Sequence, residues 1–486
     1  MFMLLLATGA AMRYSRVSLR LTLLAALTVA GARGIAQQPT QQAAAVDPRV
    51  ALSDSAIRAV IKERVDAKRS SGIAVGILDP DGRTRVFAYG TSGTSRPLDA
   101  NSVFEIGSIT KTFTATTLAD MVVKGEVKLE DPVAKYLPGA SHVPSRNGRE
   151  ITLVDLATQS SGLPRMPTNF HPKDQANPYA DYTEQQAIDF VSSYQLTRDV
   201  GAEYEYSNLG VGLLGIALAR REGVSYEELV RKHVLDPLGM TDTRVVFTPS
   251  MRERLALGHD DAGGVVSNWD IPGLAGAGAL RSTVNDMLKY LAANVDPGHA
   301  PLTPALTMAH VKRHGTSNPS LNLGLAWHIL TTPYGSTLTW HNGGTGGYRT
   351  FIGFDDARHS GVVVLSNSNT SVDDVGMHFV DPRLPLSPAP TKVARTEITL
   401  APQVLDRYVG DYELAPAFHI VVTRDGGTLY GQPTGQDKVQ LFAEKEDEFF
   451  LKVVDAQITF SKDSSGNVTG LVLHQNGQES PGKKVK

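Results

Sequence analysis

The stretch "FEIGSITKTF", residues 104–113, combines a serine and a lysine with small and apolar residues. On a helix, Ser108 and Lys111 share one face and lie about one turn apart. Three interpretations fit this spacing: chance, a helix-capping serine with a solvated lysine, or a nucleophile beside its base. The pattern recurs as "SPGK" at residues 480–483, where Pro-Gly disfavours a helix, so Ser-x-x-Lys alone is not decisive.

Two further motifs follow along the chain. "EYEYSNLGVG" contains Tyr206 and Asn208 just before an apolar helical pattern, and "LTWHNGGTGGYRTF" contains His341 and Gly343 in a strand-like, glycine-rich stretch. Serine, lysine and tyrosine together suit nucleophilic acyl transfer. A serine hydroxyl is a weak nucleophile until a base takes its proton, and that base is either an uncharged lysine or an ionised tyrosine.

The surroundings of these residues decide whether they can react. Burial and nearby cations lower the pKa of a lysine, and cations beside a tyrosine make it easier to ionise. At a helix start the amide of Ser108 is free to donate to a developing oxyanion, and a glycine-bearing strand lets a second amide approach. The alternatives are an ordinary core aromatic at Tyr206 and a structural histidine at His341.

The three motifs, in this order, resemble the class C β-lactamase and penicillin-binding protein superfamily of serine hydrolases. The stretches "LATQSSGLP", "AGALRSTVNDMLKY" and "HNGGTGGYRTFIGF" resemble it too, and the likeness spans roughly residues 50–375. The resemblance implies an acyl-enzyme on Ser108, with Lys111 and Tyr206 sharing the general-base and general-acid roles. It also implies that Asn208 positions Lys111 and the substrate amide.

The resemblance further implies an oxyanion hole made by the amides of Ser108 and Gly344, with His341 on the opposite wall. Many relatives have lysine at that position, and histidine is only partly charged near neutral pH. The His341-Asn-Gly343 triplet therefore weakens the case for an efficient β-lactamase but not for a serine acyl hydrolase. Arg349, or the "NSN" at residues 367–369, is the candidate for recognising a substrate carboxylate.

Strand patterns at both ends of the first two thirds of the chain flank a helical middle. They predict an α/β (α+β) fold of the β-lactamase/transpeptidase type, with an antiparallel sheet built from both ends and helices packed over it. This serine hydrolase domain is assigned to residues 48–378 and a Pro-rich linker to 379–397. Alternating strand patterns in 398–486 predict a small all-β, barrel-like domain, whose "LDRYVGDYEL" resembles the start of lipocalin-like domains.

The N-terminus has the pattern of a secretory signal peptide. Basic residues precede an apolar run and then small residues, within residues 1–36, and a polar leader follows at 37–47. We therefore expect a secreted or periplasmic protein without a transmembrane span after the signal is removed.

Composition excludes several classes of function. The chain of 486 residues has a net charge of -3 and no cysteine, so disulfides, thiol catalysis and Cys-based zinc sites are excluded. The charge offers no reason to expect a nucleic-acid partner. No metal-ligand cluster stands out, so we predict neither a metal nor a cofactor.

The sequence thus predicts an enzyme that hydrolyses a β-lactam or a D-Ala-type amide, from a small-molecule or peptidoglycan-derived substrate. One alternative is a carboxylesterase or D-aminopeptidase of the same fold. A second is a penicillin-binding sensor that acylates once and deacylates slowly. The sequence leaves the physiological substrate, the role of the C-terminal domain and the oligomeric state open.

Overall fold

Strands from both ends of the N-terminal two thirds meet in one antiparallel sheet. β1, β2 and β7 to β12 form eight strands in the order β2-β1-β12-β11-β10-β9-β8-β7, and the short pairs β3/β6 and β4/β5 lie outside it. The strands are β1 Gly72–Leu78, β2 Thr84–Gly90, β3 Phe104–Glu105, β4 Ser145–Arg146, β5 Arg149–Glu150, β6 Arg281–Ser282, β7 His314–Gly315, β8 Leu321–Leu323, β9 His328–Thr331, β10 Thr337–Gly344, β11 Arg349–Asp355 and β12 Ser360–Ser366.

The structure is a computed structural model that describes residues 52–139, 141–296, 298, 301–388, 395–415, 418–434, 438–451, 456–475 and 478–486. These residues lie in one of the chain's two compact units, Val46–Lys486. The predicted signal peptide and leader fall outside the described residues.

Both faces of the sheet are covered, which explains why β1 is apolar throughout. Ile73 and Val75 pack in one hydrophobic cluster with residues of the flanking helices α1 and α11, whereas Ala74 and Leu78 pack in the larger core on the other face. The twelve helices of the described chain are α1 Asp54–Asp66, α2 Thr110–Val123, α3 Leu153–Ala157, α4 Glu184–Ser193, α5 Asn208–Glu222, α6 Tyr226–Val230, α7 Pro249–Glu253, α8 Ala275–Gly278, α9 Val284–Val295, α10 Thr303–Ala309, α11 Asp373–Val380 and α12 Pro402–Leu405.

The predicted sheet is confirmed, because β1 from the beginning pairs with β12 from the end of this region. Two helices of the helical middle are continued by turns of a different helical type. A separate 3-10 turn, Gly107–Ile109, precedes α2, and α6 is followed by a π-helical turn at Arg231–Leu235. No helix in the described ranges is both long enough and apolar enough to cross a bilayer.

The predicted all-β C-terminal domain is a closed eight-stranded barrel with its own hydrophobic cluster. Aromatic side chains fill this cluster, among them Tyr408, Phe449 and Phe460. The strands are β13 Gly410–Ala415, β14 Phe418–Asp425, β15 Thr428–Pro433, β16 Val439–Ala443, β17 Glu448–Phe450, β18 Ala456–Lys462, β19 Val468–Gln475 and β20 Gln478–Lys484.

The end of β10 passes against the 3-10 turn that precedes α2. A Cβ on Gly343 would lie 2.0 Å from the carbonyl oxygen of Ile106 and 2.3 Å from the hydroxyl of Thr350, which donates to that carbonyl over 2.9 Å. On the other side of the contact Gly107 has a φ of +50°, and its Cβ would lie 2.6 Å from the amide nitrogen of Gly344. Only glycine permits this approach, which sets the strand beside the turn.

We expect Gly343→Ala to lower the free energy of unfolding by about 1–3 kcal/mol, because its methyl group overpacks this contact. Thermal and denaturant unfolding measure the change. Gly315→Ala is the matched control, since a Cβ on this β7 glycine meets nothing within 4 Å. Equal stability losses in the two variants would show that β10 is free to move away from the turn.

Candidate active site

Ser108 lies in the 3-10 turn directly before α2 and is half-buried. The turn is anchored on one side by the amide of Ile106, which donates to the carbonyl of Leu280 over 3.0 Å. The N-cap of α2 is Ile109, and no side chain caps this helix. The hydroxyl of Ser108 therefore has no capping role, and its amide lies where a helix start leaves donors unused.

Lys111 is completely buried, so the interpretation as a solvated lysine is wrong. Its Nζ donates to Ser108 Oγ over 2.9 Å and to the carbonyl oxygen of Ala277 over 2.6 Å. The described structure shows no carboxylate paired with this amine. Burial above all, and then the positive charge of Arg165, hold the pKa of Lys111 well below its ordinary value, which favours the neutral amine that can accept a proton.

Tyr206 lies beside both Ser108 and Lys111. It immediately precedes Ser207, whose side chain caps α5 by accepting from the amide of Gly210 over 2.8 Å. The Tyr206 ring centroid is 4.8 Å from Lys111 Nζ and 5.0 Å from the guanidinium carbon of Arg165, and Ser108 lies close enough to its hydroxyl to affect its pKa.

The ionised tyrosine considered from the sequence finds no support in this arrangement. Burial raises the pKa of Tyr206, and this effect outweighs the influence of Ser108 and the charge of Arg165, which lower it. Tyr206 is thus a protonated phenol that can donate. Of the two candidate bases, the structure favours the lysine.

β10 carries His341, Gly343 and Gly344 to the region of the turn that holds Ser108. The amide nitrogen of Gly344 lies against Gly107, next to Ser108, and Gly344 is exposed. This arrangement brings the Gly344 amide next to the Ser108 turn, the two positions that the family resemblance assigns to an oxyanion hole.

His341 is completely buried, and it is not the partly charged histidine expected from the sequence. Its Nδ1 is 2.6 Å from the carbonyl oxygen of Asn342, and its Nε2 has no hydrogen-bond partner within the described parts of the chain. The ring lies 6.3 Å from that of Tyr206 and 5.1 Å from that of His328. Burial, with the neighbouring His328 and Lys111, holds the pKa of His341 well below its ordinary value, so this wall offers a neutral imidazole.

Asn208 and the candidate carboxylate-binding residues occupy different positions. The side-chain amide of Asn208, at the start of α5, contacts Met166 Sδ at 3.6 Å and makes no hydrogen bond with Lys111. The guanidinium of Arg349 donates to the carbonyls of Thr345 and Tyr348. Asn367 is buried, and its side-chain amide donates to two backbone carbonyls, so both of its hydrogens are engaged within the protein.

Sequence reasoning missed three contributors to the site. The carbonyl of Ala277 orients Lys111, Gly107 allows the contact with β10, and Arg165 reaches Tyr206. Arg165 follows the "SSGLP" stretch directly, but only the fold shows that it lies near α5 and α2.

Two family profiles match the chain, one over the region that holds Ser108 and one over the barrel. The family profile described as Beta-lactamase matches residues 57–381. The chain belongs to the beta-lactamase family. A second profile, a domain of unknown function (DUF3471), matches residues 394–484, which include the barrel strands.

Relatives within the beta-lactamase family include AmpH of Escherichia coli strain K12, a D-alanyl-D-alanine-carboxypeptidase/endopeptidase, which is 30% identical over 61% of this chain and 79% of AmpH. Penicillin-binding protein 4* of Bacillus subtilis strain 168 is 25% identical over 82% of this chain and 91% of its own. A beta-lactamase of Lysobacter lactamgenus is 26% identical over 68% and 91%. The chain is therefore related to hydrolases of the beta-lactamase and D-alanine carboxypeptidase kind.

A solved structure shares the fold. The beta-lactamase/D-alanine carboxypeptidase from Pseudomonas syringae superposes with a TM-score of 0.58 at 21% identity, covering 67% of this chain and 98% of that one. This likeness confirms the β-lactamase/transpeptidase fold predicted from the sequence.

One group of described side chains has the spacing of a metal site, and it lies apart from Ser108 and Lys111 in sequence. Ligand atoms of Glu126, Glu222 and His233 lie within 4.8 Å of one another. His233 Nδ1 is 2.6 Å from a carboxylate oxygen of Asp120, and Lys232 pairs with Glu222 at 2.9 Å. These ion pairs already engage Glu222 and His233, two of the three members, so we interpret the group as part of a structural charge network.

We expect Lys111→Met to be more stable relative to wild type at pH 7 than at pH 9. Between the lowered pKa of the folded state and the pKa near 10.4 of an exposed lysine, unfolded wild type binds the extra proton, so its stability rises with pH. The variant lacks this dependence. We subtract the unfolding free energy of wild type from that of Lys111→Met, both from urea denaturation. As the pH rises from 7 to 9, this value should fall by up to about 1.4 kcal/mol per pH unit.

Ser108→Ala is the control for this titration, since it keeps the buried amine and should follow wild type. A difference between Lys111→Met and wild type that does not change with pH would mean that Lys111 keeps its charge in the folded protein.

Proposed function

We propose that this member of the beta-lactamase family is an exported serine hydrolase that forms an acyl-enzyme on Ser108 and hydrolyses a D-Ala-type amide or a β-lactam. One observation carries the proposal: the amine of Lys111, buried and without a carboxylate partner in the described structure, lies 2.9 Å from Ser108 Oγ. Export rests on the N-terminal pattern of residues 1–36.

The arrangement supports a complete proton path. Lys111 takes the proton of Ser108 as Oγ attacks the substrate carbonyl, and the amides of Ser108 and Gly344 donate to the oxyanion that forms. Tyr206 gives its hydroxyl proton to the departing nitrogen or oxygen, and the lysine ammonium returns a proton to Tyr206. Water then attacks the acyl-enzyme by the same steps in reverse, which releases the acid and restores Ser108.

The choice of substrate draws on the relatives. AmpH is named for D-alanyl-D-alanine carboxypeptidase activity, and other relatives are named beta-lactamases. Both substrates present a carbonyl on an amide nitrogen, which is the bond that a neutral lysine and a protonated tyrosine are placed to cleave.

A second candidate function is that of a carboxylesterase or D-aminopeptidase, and His341 favours it. A buried neutral imidazole supplies no charge for a substrate carboxylate where many relatives have a lysine. Substrates without a carboxylate at this place, such as short aryl esters, suit such a wall better than cephalosporins do.

The deciding experiment is the intact mass of the protein, acid-quenched at short times after mixing with benzylpenicillin or with a 4-nitrophenyl ester. We expect an acyl adduct in wild type and none in Ser108→Ala. An adduct that also forms in Ser108→Ala would overturn the assignment of the nucleophile. An adduct with the ester alone would favour the second candidate function, and the decay rate separates a hydrolase from a slowly deacylating protein.

We expect Tyr206→Phe to impair amide hydrolysis far more than hydrolysis of an activated aryl ester. An amine must be protonated to leave, whereas nitrophenolate leaves as an anion, so loss of the phenol should cost about 10²–10⁴-fold on an anilide and much less on the nitrophenyl ester. Values of kcat/KM on the matched anilide and ester measure this. Lys111→Ala, which removes the base, should impair both, and an equal loss for both in Tyr206→Phe would assign the proton donor elsewhere.

A further inference from the structure

Besides Lys111, three side chains near Ser108 and Tyr206 are candidates for binding a substrate carboxylate, and they differ in what they can offer it. His341 is buried and neutral. The guanidinium of Arg349 is engaged by two backbone carbonyls, at 2.8 and 3.0 Å, and Asp261 and Asp373 lie close enough to act on its charge. Arg165 remains, and it is exposed.

We propose that Arg165 recognises a carboxylate on the leaving group of the substrate. This inference rests on the proposed function of Ser108. In many relatives a lysine of the third motif is suited to bind a substrate carboxylate. His341 stands at that position here and is neutral, so the inference assigns this binding to the exposed arginine after the "SSGLP" stretch.

The main chain of Arg165 is fixed while its side chain is available. Its carbonyl oxygen accepts the amides of Asn208 at 3.0 Å and Leu209 at 3.4 Å, which ties it to the first turn of α5. Its guanidinium makes no hydrogen bond or ion pair with another described residue and is held only against the ring of Tyr206. Binding a carboxylate therefore requires no existing ion pair to be broken.

The charge of Arg165 reaches the reacting groups. Burial lowers the pKa of Lys111, and the charge of Arg165 lowers it further; burial raises the pKa of Tyr179 and Tyr204, and the charge of Arg165 opposes that rise at both. Tyr179 stacks obliquely on Trp269, with ring centroids 5.4 Å apart. A substrate there meets an aromatic wall and one free guanidinium, which is a fork-shaped donor that matches a carboxylate.

The position beside Tyr206 selects the leaving-group side. Tyr206 is the proton donor to the departing atom in the proposed mechanism, so a leaving group must lie against its hydroxyl. Arg165 lies 5.0 Å from the centroid of that ring. A carboxylate attached to the leaving group, as in a C-terminal amino acid, is thus presented to the guanidinium.

Arg165 also influences Lys111 whatever the substrate, so the test must separate recognition from tuning of the base. A matched pair of esters does this: the 3-carboxyphenyl and the 3-carbamoylphenyl ester of one N-acyl-D-alanine, which differ only in the charge on the leaving group. Any effect on Lys111 changes kcat/KM for both esters alike and cancels in their ratio.

We expect Arg165→Gln to lower the ratio of kcat/KM for the charged over the neutral ester by about 10- to 100-fold, the size of a lost charged hydrogen bond. Arg165→Lys should recover part of the ratio, since it keeps the charge but not the fork. Arg252→Gln is the matched control and should leave the ratio unchanged, because Arg252 is also an exposed arginine on an aromatic ring, that of Phe247 at 5.1 Å.

The outcomes are distinguishable. An unchanged ratio in Arg165→Gln, with wild type active on both esters, overturns the role of Arg165 and leaves the proposed function standing. A fall of the ratio in Arg349→Gln instead assigns recognition to Arg349. Absence of Ser108-dependent hydrolysis of the neutral ester by wild type overturns the proposed function and this inference with it.

Discussion

The buried amine of Lys111 is the constraint on which the site depends. A lysine without a counter-ion is costly to bury in its charged form, so the fold holds it neutral and satisfies its nitrogen with Ser108 Oγ and the carbonyl of Ala277. That requires α2 to be enclosed on all sides, and its residues from Thr110 to Met121 are indeed buried. The packing of the helical region around α2 is therefore also what keeps Lys111 neutral beside Ser108.

The second requirement is the contact between the sheet and the helical region. β10 belongs to the eight-stranded sheet, while the turn Gly107–Ile109 leads into α2, and the two meet through Gly343 and Gly107. The missing side chains let two backbones approach to a distance at which the Gly344 amide lies beside Ser108. The relative placement of the two regions thus depends on two glycines.

The third motif of this chain supplies no positive charge at His341, the position where many relatives have a lysine. His341 is buried and neutral, Arg349 donates to backbone carbonyls, and the guanidinium of Arg165 lies against the ring of Tyr206 from the helical side. The same residue acts on Lys111. In the function and the recognition that we propose, one guanidinium therefore serves both the binding of the substrate and the neutral state of Lys111.

The sequence by itself determined the three motifs, the antiparallel sheet from both ends of the domain and the β-rich C-terminal region, because alternation, turn residues and motif order are local patterns. The barrel's closure, the protonation states of Lys111, Tyr206 and His341, and the position of Arg165 were decided by the tertiary structure. Burial and the distance between charges set a pKa, and neither is written in local sequence. His341 was expected to be partly charged and Asn208 to position Lys111. Burial instead holds the imidazole neutral, and the side-chain amide of Asn208 contacts Met166 Sδ.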